Sequence, residues 1–201
     1  MSIKIPFLSR NEEKIRSARM IAAKYEIEVE PLEHAIPEIQ AADPAIIAAF
    51  AAKAAAEKLG RAVAREDDGF FIGALNGFPG AYISWVEKTL TPEQILKLME
   101  GVEDRSATWH TALAWCEPGK MPEVFQSFTH GVISKELSGE KGHFTDLFFI
   151  PNGSLLTLAH YEFEERMSFY DRRFLEEFFQ RRVEEVERDN DRSTGHENLK
   201  T

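Results

Sequence analysis

Up to Gly69, short apolar runs alternate with segments patterned for helices, and the alternation ends in three adjacent carboxylates, Glu66, Asp67 and Asp68. Ile3-Lys4-Ile5-Pro6-Phe7-Leu8 reads as a strand, and Asn11 to Lys24 as a helix with Ile15, Ala18, Ile21 and Ala22 on one face. Glu26 to Glu30 alternates Ile27 and Val29 with acids, the pattern of a half-buried strand, until Pro31 and Pro37 interrupt regular structure. Asp43 is placed to cap the next helix, with Pro44 in its first turn and Gly60 just beyond Leu59. Ala62-Val63-Ala64-Arg65 is then a strand that delivers the acids to its C-terminal end, where Gly69 permits a sharp turn. Strands separated by helices define an α/β domain, in which ligands gather beyond the carboxyl ends of strands.

Downstream, Thr91-Pro92-Glu93 opens a helix that runs to about Gly101. Thr108 to Trp115 and Val124 to Ile133 pair as strands, and Leu147 to Ile150 supplies a third. From Arg172 to about Glu187 the spacing predicts a helix that buries Phe174, Leu175, Phe178, Phe179 and Val183. The final residues are polar, so the expectation is one domain over 1–188 and an unstructured tail over 189–201. With 201 residues and 43% hydrophobic content, such a domain buries roughly 70% of its unfolded surface.

A formal net charge of -10 argues against a partner that is a nucleic-acid polymer, since such binders neutralise phosphates with Lys and Arg. A small anionic substrate needs a local cluster of cations, or a metal ion, to overcome the overall field. Cys116 is the only cysteine, which rules out an intrachain disulfide and fits a reducing compartment. The opening MSIKIPFLSRNEEK is too quickly charged for a signal peptide, and no run approaches the ~20 apolar residues of a membrane span. A cytoplasmic protein with no membrane partner is expected.

Three neighbouring carboxylates repel one another unless a cation joins them, and magnesium commonly bridges carboxylates to phosphates. Adjacent side chains of a regular strand point to opposite faces, so Glu66 and Asp67 act together only if the strand ends or bulges there. Taken alone, the run also fits a solvated acidic turn. Ser9-Arg10-Asn11-Glu12-Glu13-Lys14 joins the first strand to the first helix, where backbone N–H groups and the helix dipole favour an anion. Ser9 and Asn11 offer hydrogen bonds and Arg10 and Lys14 offer charge, although a plain N-cap accounts for the same residues. The glycines and proline of Ala74-Leu75-Asn76-Gly77-Phe78-Pro79-Gly80-Ala81-Tyr82 specify a tight loop, with Tyr82 and Trp85 packing it down. His34, His110, His130 and His160 lack a mutual metal-ligand spacing, and Cys116 reads as a small core residue.

Taken together, SRNEEK, IPEIQ, EDDGFFIGALNGFPGAYISW and RSATWHTALAW resemble the non-standard purine nucleoside-triphosphate pyrophosphatases, the inosine triphosphatase-like family. The resemblance runs from Ile3 to about Arg172. It implies an elongated α/β domain, a mixed sheet with flanking helices, assembled as a homodimer. The implied reaction cleaves a nucleoside triphosphate to monophosphate and pyrophosphate by attack of water on the α-phosphorus. The family's Thr-Gly-Asn-x-x-Lys phosphate loop falls on Ser9, Arg10, Asn11 and Lys14, with Arg10 in place of glycine. Lys53 matches a lysine often found in the helix before the acids and aimed at phosphate. The metal-binding glutamate falls on Glu38 and the acidic pair on Glu66 and Asp67. The resemblance thus implies Asp67 as general base and Glu38, Glu66 and Asp67 as ligands of magnesium, or of manganese.

The carboxyl-terminal half departs from the family. Its Phe-Gly-Trp/Tyr-Asp segment falls on His143-Phe144-Thr145-Asp146, which keeps only the acid near the base. Either Phe144, shifted by one residue, or His143 as a flat ring faces the base, unless Phe144 simply packs in the core. The Lys-Asn-x-x-Ser-His-Arg segment falls on Arg166 to Arg172, with Arg166 keeping charge for phosphate and Tyr170 and Asp171 replacing the serine and histidine. Asp171 and Arg172 then lie where the base edge is read, or form a salt bridge. The expected activity is removal of inosine or xanthosine triphosphate from the nucleotide pool. The altered pocket leaves open the same chemistry on another base. A catalytically silent nucleotide-binding regulator is a third reading, opposed by retention of Asn11, Lys14, Glu38, Glu66 and Asp67.

Overall fold

The computed structural model describes residues 3–197, with side chains through residue 191. In chain order the elements are β1 (Ile3–Leu8), α1 (Glu12–Ala22), β2 (Ile27–Leu32), α2 (Pro44–Leu59), β3 (Val63–Ile72), β4 (Pro79–Gly80), α3 (Ile83–Val86) and α4 (Pro92–Leu98). They continue with β5 (Ser106–Cys116), β6 (Glu123–Ile133), β7 (Phe149–Pro151), α5 (Phe163–Phe169) and α6 (Arg173–Glu197). The strands form a single sheet in the order β2-β1-β3-β5-β6-β7, with β4 added to β3. β1 runs parallel to β2 and β3, and the other pairings are antiparallel, so the sheet is mixed as expected.

Local chemistry explains the helix ends. Asp43 accepts the Ala45 N–H at 2.9 Å, Pro44 occupies the first turn of α2, and Gly60 ends it in the left-handed region at φ 63°. Thr91 and Gln94 close a reciprocal capping box on α4. On one side of the sheet α1 and α6 cover Ala64, Leu113, Trp115 and Phe125, with Phe174, Leu175, Phe178 and Phe179 fully inserted. Burying each of these phenylalanines contributes roughly 1.5–3 kcal/mol. On the other side Ala48, Ala52 and Ala56 of α2 press on Ala114 and Cys116, small side chains that let helix and sheet approach closely. A second core joins Phe70 and Ile72 to Ile95, Met99, Phe148 and Phe149.

Three expectations are corrected. β3 does not stop at Arg65 but runs on to Ile72, paired with β5 residue for residue through Glu66, Asp67 and Asp68. Gly69 is no turn: it sits opposite His110, and a Cβ there would lie 2.8 Å from the Phe71 ring and 2.9 Å from the Ala81 nitrogen. The glycine serves a close approach of the returning chain, and the turn comes later, at Gly73–Leu75 with Asn76 at φ 53°. Tyr82 and Trp85 do not pack that loop down, since both are exposed, Trp85 at 64%. α6 continues as a helix as far as Glu197, past residue 188. Before that point, pairs one turn apart, Gln180 with Glu184 and Arg181 with Glu177, support the helix. Residues 198–201 of the expected tail lie outside the described residues.

One topological detail positions the site. β1 meets β3 only at Phe7 and Ala64, and β4 meets it at Phe70 and Phe71. Between those contacts, residues 65–69 are paired with β5 on one side and present an open strand edge on the other.

Candidate active site

The open edge of β3 floors a cleft of about 710 Å³, walled by the β1–α1 turn, α2, α3 and the segments flanking α5. Strand alternation sends Glu66 and Asp68 to the side of the sheet covered by α1 and α6, with Ala64, and Arg65 and Asp67 to the side covered by α2, with Val63. Because the edge is open, all four side chains line the same cleft. Glu66 and Asp67 therefore reach one space from opposite faces without a turn or a bulge.

Glu66 is 2% exposed, and its Oε2 atom has no hydrogen-bond partner among the described residues. Burial raises its pKa, against the opposing pull of Lys14 and Arg172. Burial also raises the pKa of Asp67, again opposed by Lys14. Asp68 takes Lys14 as its own partner, with Nζ 2.9 Å from Oδ2. Burial alone would lower the Lys14 pKa, but Asp68, Glu66 and Asp67 outweigh it and the net shift is upward. Three carboxylates thus crowd one ammonium group, with Arg172 pulling on Glu66 and Arg65 on Asp67, and so many charges held in a partly buried space are costly.

At the β1–α1 turn, the Asn11 Oδ1 atom accepts the N–H groups of Glu13 and Lys14 at 3.0 and 3.1 Å, and Ser9 Oγ accepts the Asn11 N–H at 3.1 Å. The capping reading of these residues is met, yet both line the cleft, and the cap leaves the Asn11 amide donors without a protein partner among the described residues. Arg65 donates to the Leu8 carbonyl at 3.1 Å and to the largely exposed Glu38, which brings Glu38 to the cleft already engaged. Among the described residues no three acids, histidines or cysteines are gathered as ligands for one ion, so Glu38, Glu66 and Asp67 do not form a ready-made triad. Lys53 stays outside the cleft, exposed and close enough to Cys116 to affect its titration. Its place on the α2 lining is taken by Ala51, two residues earlier and about 200° around the helix.

The far wall is knitted to α1. Arg166, 4% exposed on α5, bonds to Asp146 at 3.1 Å and to Glu13, and it does not line the cleft. His143 Nε2 lies 2.7 Å from Glu13 Oε2, while the His143 backbone N–H donates to Asp146 Oδ2 at 2.8 Å. The Glu13 hydrogen bond raises the His143 pKa against the effect of burial. Burial would raise the Glu13 pKa, but His143 and Arg166 outweigh it and hold it low. Burial raises Asp146, opposed by the His143 N–H and by Arg166. Gly142, at φ 81°, is needed here, since a Cβ would fall 2.0 Å from Arg166 Nη1 and 2.1 Å from Asp146 Oδ2. Phe144 packs edge-on to Phe148, with ring centroids 5.6 Å apart, and belongs to the core rather than the cleft. Asp171 turns away to bond Arg173 at 2.6 Å, so the salt bridge to Arg172 is not formed. Arg172 does enter the cleft, lying 5.0 Å over the Tyr170 ring and donating to Met167 Sδ at 2.9 Å.

The structure adds Glu13, Lys88, Trp109 and Thr111 to the lining, and the third acid of the run, Asp68, lines it too. Asp68 was legible in the sequence as the last of three adjacent acids. Glu13 had no local signal, because the groups that fix it, His143 and Arg166, come from far along the chain.

Fold and cleft together define a class: an α/β domain with an acidic cleft at the open edge of its central strand. The chain belongs to the Ham1 family, whose model matches residues 5–174. It is 43% identical over 164 residues to the dITP/XTP pyrophosphatase of Methanopyrus kandleri, covering 82% of this chain and 87% of that one. To the dITP/XTP pyrophosphatase of Methanosarcina acetivorans it is 39% identical over 178 residues, covering 88% and 96% respectively. A HAM1 protein from Coxiella burnetii superposes with a TM-score of 0.79 at 26% identity, over 90% of this chain and 99% of the other. The Ham1 protein of Staphylococcus aureus shares the fold, with a TM-score of 0.76 at 23% identity over 91% and 99%.

Proposed function

We infer that this chain hydrolyses inosine or xanthosine triphosphates, in ribo or deoxy form, to the monophosphate and pyrophosphate. The observation that carries the reading is the buried Glu66 Oε2 atom, unpartnered among the described residues, in a cluster of three carboxylates gathered around Lys14. The curated relatives named dITP/XTP pyrophosphatase support the choice of base.

The same crowding of carboxylates fits a divalent cation. Glu66 and Asp67 would hold it at the open edge, with Glu38 joining on release from Arg65. Magnesium, or manganese in its place, suits hard carboxylate oxygens. When bound, such an ion supplies positive charge to the phosphate oxygens. Asp67 has no ion pair among the described residues and an upward-shifted pKa, which suits a general base. In the proposed step Asp67 takes a proton from water as the water oxygen bonds to the α-phosphorus. The bond from that phosphorus to the α–β bridging oxygen breaks, and pyrophosphate leaves with the electron pair. Lys14 and the Asn11 amide meet the phosphates at the N-terminus of α1. The base then lies toward His143, Tyr170 and Arg172. Arg166 is a positioning residue that holds Glu13 and Asp146, and Phe144, Asp171 and Lys53 lie outside this arrangement.

The reading extends to assembly. α2 leaves part of its side of the sheet uncovered, where Val124, Phe128 and Val132 of β6 are exposed, as are Ile46 and Phe50 of α2 itself. An apolar surface of this kind supports pairing with a second copy of the chain.

Incubation with inosine, xanthosine, adenosine, guanosine, cytidine and uridine triphosphates, with magnesium or with a chelator, tests the activity. Equimolar monophosphate and pyrophosphate are expected, fastest from inosine and xanthosine and absent with the chelator. No release from any triphosphate overturns the reading, and fastest release from a pyrimidine overturns the base.

A further inference from the structure

The cations that line the cleft are Arg10, Lys14, Arg65, Lys88 and Arg172. Most are already committed. Lys14 pairs with Asp68, Arg65 with Glu38 and the Leu8 carbonyl, and Arg172 donates to Met167 Sδ over the Tyr170 ring. The side chains of Arg10 and Lys88 alone in this group have neither a hydrogen bond nor an ion pair among the described residues.

Their positions are set by the two strands that bound the open edge. β1 leaves β3 at Ala64, and Arg10 stands in the turn that follows β1. β4 joins β3 at Phe70, and Lys88 follows the short helix that β4 leads into, one turn beyond the cleft-lining Ser84. Arg10 and Lys88 therefore flank the two ends of the edge that carries Glu66, Asp67 and Asp68. Around them the lining is rich in acid, with Glu87 next to Lys88 and Glu13 in the first turn of α1. A triphosphate carries most of its charge on the two outer phosphates, and uncommitted cations are what such a tail requires.

We propose that Arg10 and Lys88 hold the β- and γ-phosphates from opposite ends of the β3 edge and keep contact with pyrophosphate as it leaves. The proposal deepens the pyrophosphatase reading and rests on it. Arg10 contributes a planar, bidentate fork and Lys88 a mobile point charge. Neither touches the base or the α-phosphate.

The test compares Arg10→Ala, Lys88→Ala, the double variant and Lys88→Arg with the wild type. Steady-state kinetics on inosine triphosphate are combined with calorimetric titration of inorganic pyrophosphate, a readout that needs no turnover. Each alanine variant is expected to raise KM and the pyrophosphate dissociation constant about ten-fold, the scale of one charge-assisted phosphate contact. Inhibition by inosine monophosphate stays within about two-fold, and Lys88→Arg recovers most of the loss. Variants that bind pyrophosphate like the wild type, with the wild type active, overturn the clamp and leave the pyrophosphatase reading intact. A monophosphate constant that rises in step with that of pyrophosphate also overturns it, because the two residues then act nearer the α-phosphate or the fold. A wild type that releases no pyrophosphate from any triphosphate overturns the parent reading, and this proposal with it.

Discussion

Glu66 is held where an ionised carboxyl is poorly solvated, with one oxygen unpartnered among the described residues and two more acids, Asp67 and Asp68, following it on β3. Burial raises its pKa in the folded chain above the unfolded value, so the folded state takes up a proton more readily than the unfolded state does. Glu66 thus costs nothing below the unfolded pKa and destabilises the fold as pH rises through the folded one. In the absence of divalent ions, Glu66→Gln is expected to melt about 2–4 °C above the wild type at pH 7, corresponding to relief of about 1 kcal/mol. The gap closes by about pH 4, where the unfolded carboxyl is itself protonated. Pyrophosphate release falls in the same variant. Thermal denaturation across this pH range checks the sign, and an equal or lower melting temperature at pH 7 contradicts it. At this scale the acids, Asn11 and Lys14 were legible from residue type and order, whereas the roles of Lys53 and Phe144 were not. A helix puts positions two residues apart on opposing sides, and whether a ring packs inward depends on the partner it meets, here Phe148.

Among the elements, β3 shows most clearly where sequence patterning stops short. Three adjacent acids and a glycine carry low strand propensity, so the segment reads as a strand that ends at Arg65. Its continuation is imposed by β5, whose Leu113, Ala112 and Thr111 pair with Glu66, Asp67 and Asp68 across a long separation in sequence. No local pattern encodes that partner. The helices were more legible because their signals are local: Asp43, Pro44 and Gly60 delimit α2, and the phenylalanine spacing marks the buried face of α6. The end of α6 carries no such local signal, because its last turns are polar and offer no apolar stripe.

At the scale of the molecule, a chain of net charge -10 gathers residues from Leu8 to Arg172 around one cleft, and that span falls within the family match at 5–174. Its surface elsewhere carries the bare apolar strip of β6, where Phe128 stacks on His110 at 4.3 Å but remains exposed. If a second copy covers that strip, light scattering gives twice the chain mass for the wild type, and Phe128→Glu shifts it to the single-chain mass. A wild type that scatters as a single chain at micromolar concentration contradicts the pairing. The most direct measurement on the acidic centre is the turnover of Asp67→Asn, which keeps the side-chain shape and removes the base. Turnover is expected to drop by about 10²-fold or more while the melting temperature and circular dichroism stay those of a folded protein. Near-wild-type turnover in a folded Asp67→Asn variant would contradict the assignment of Asp67 as the group that activates water.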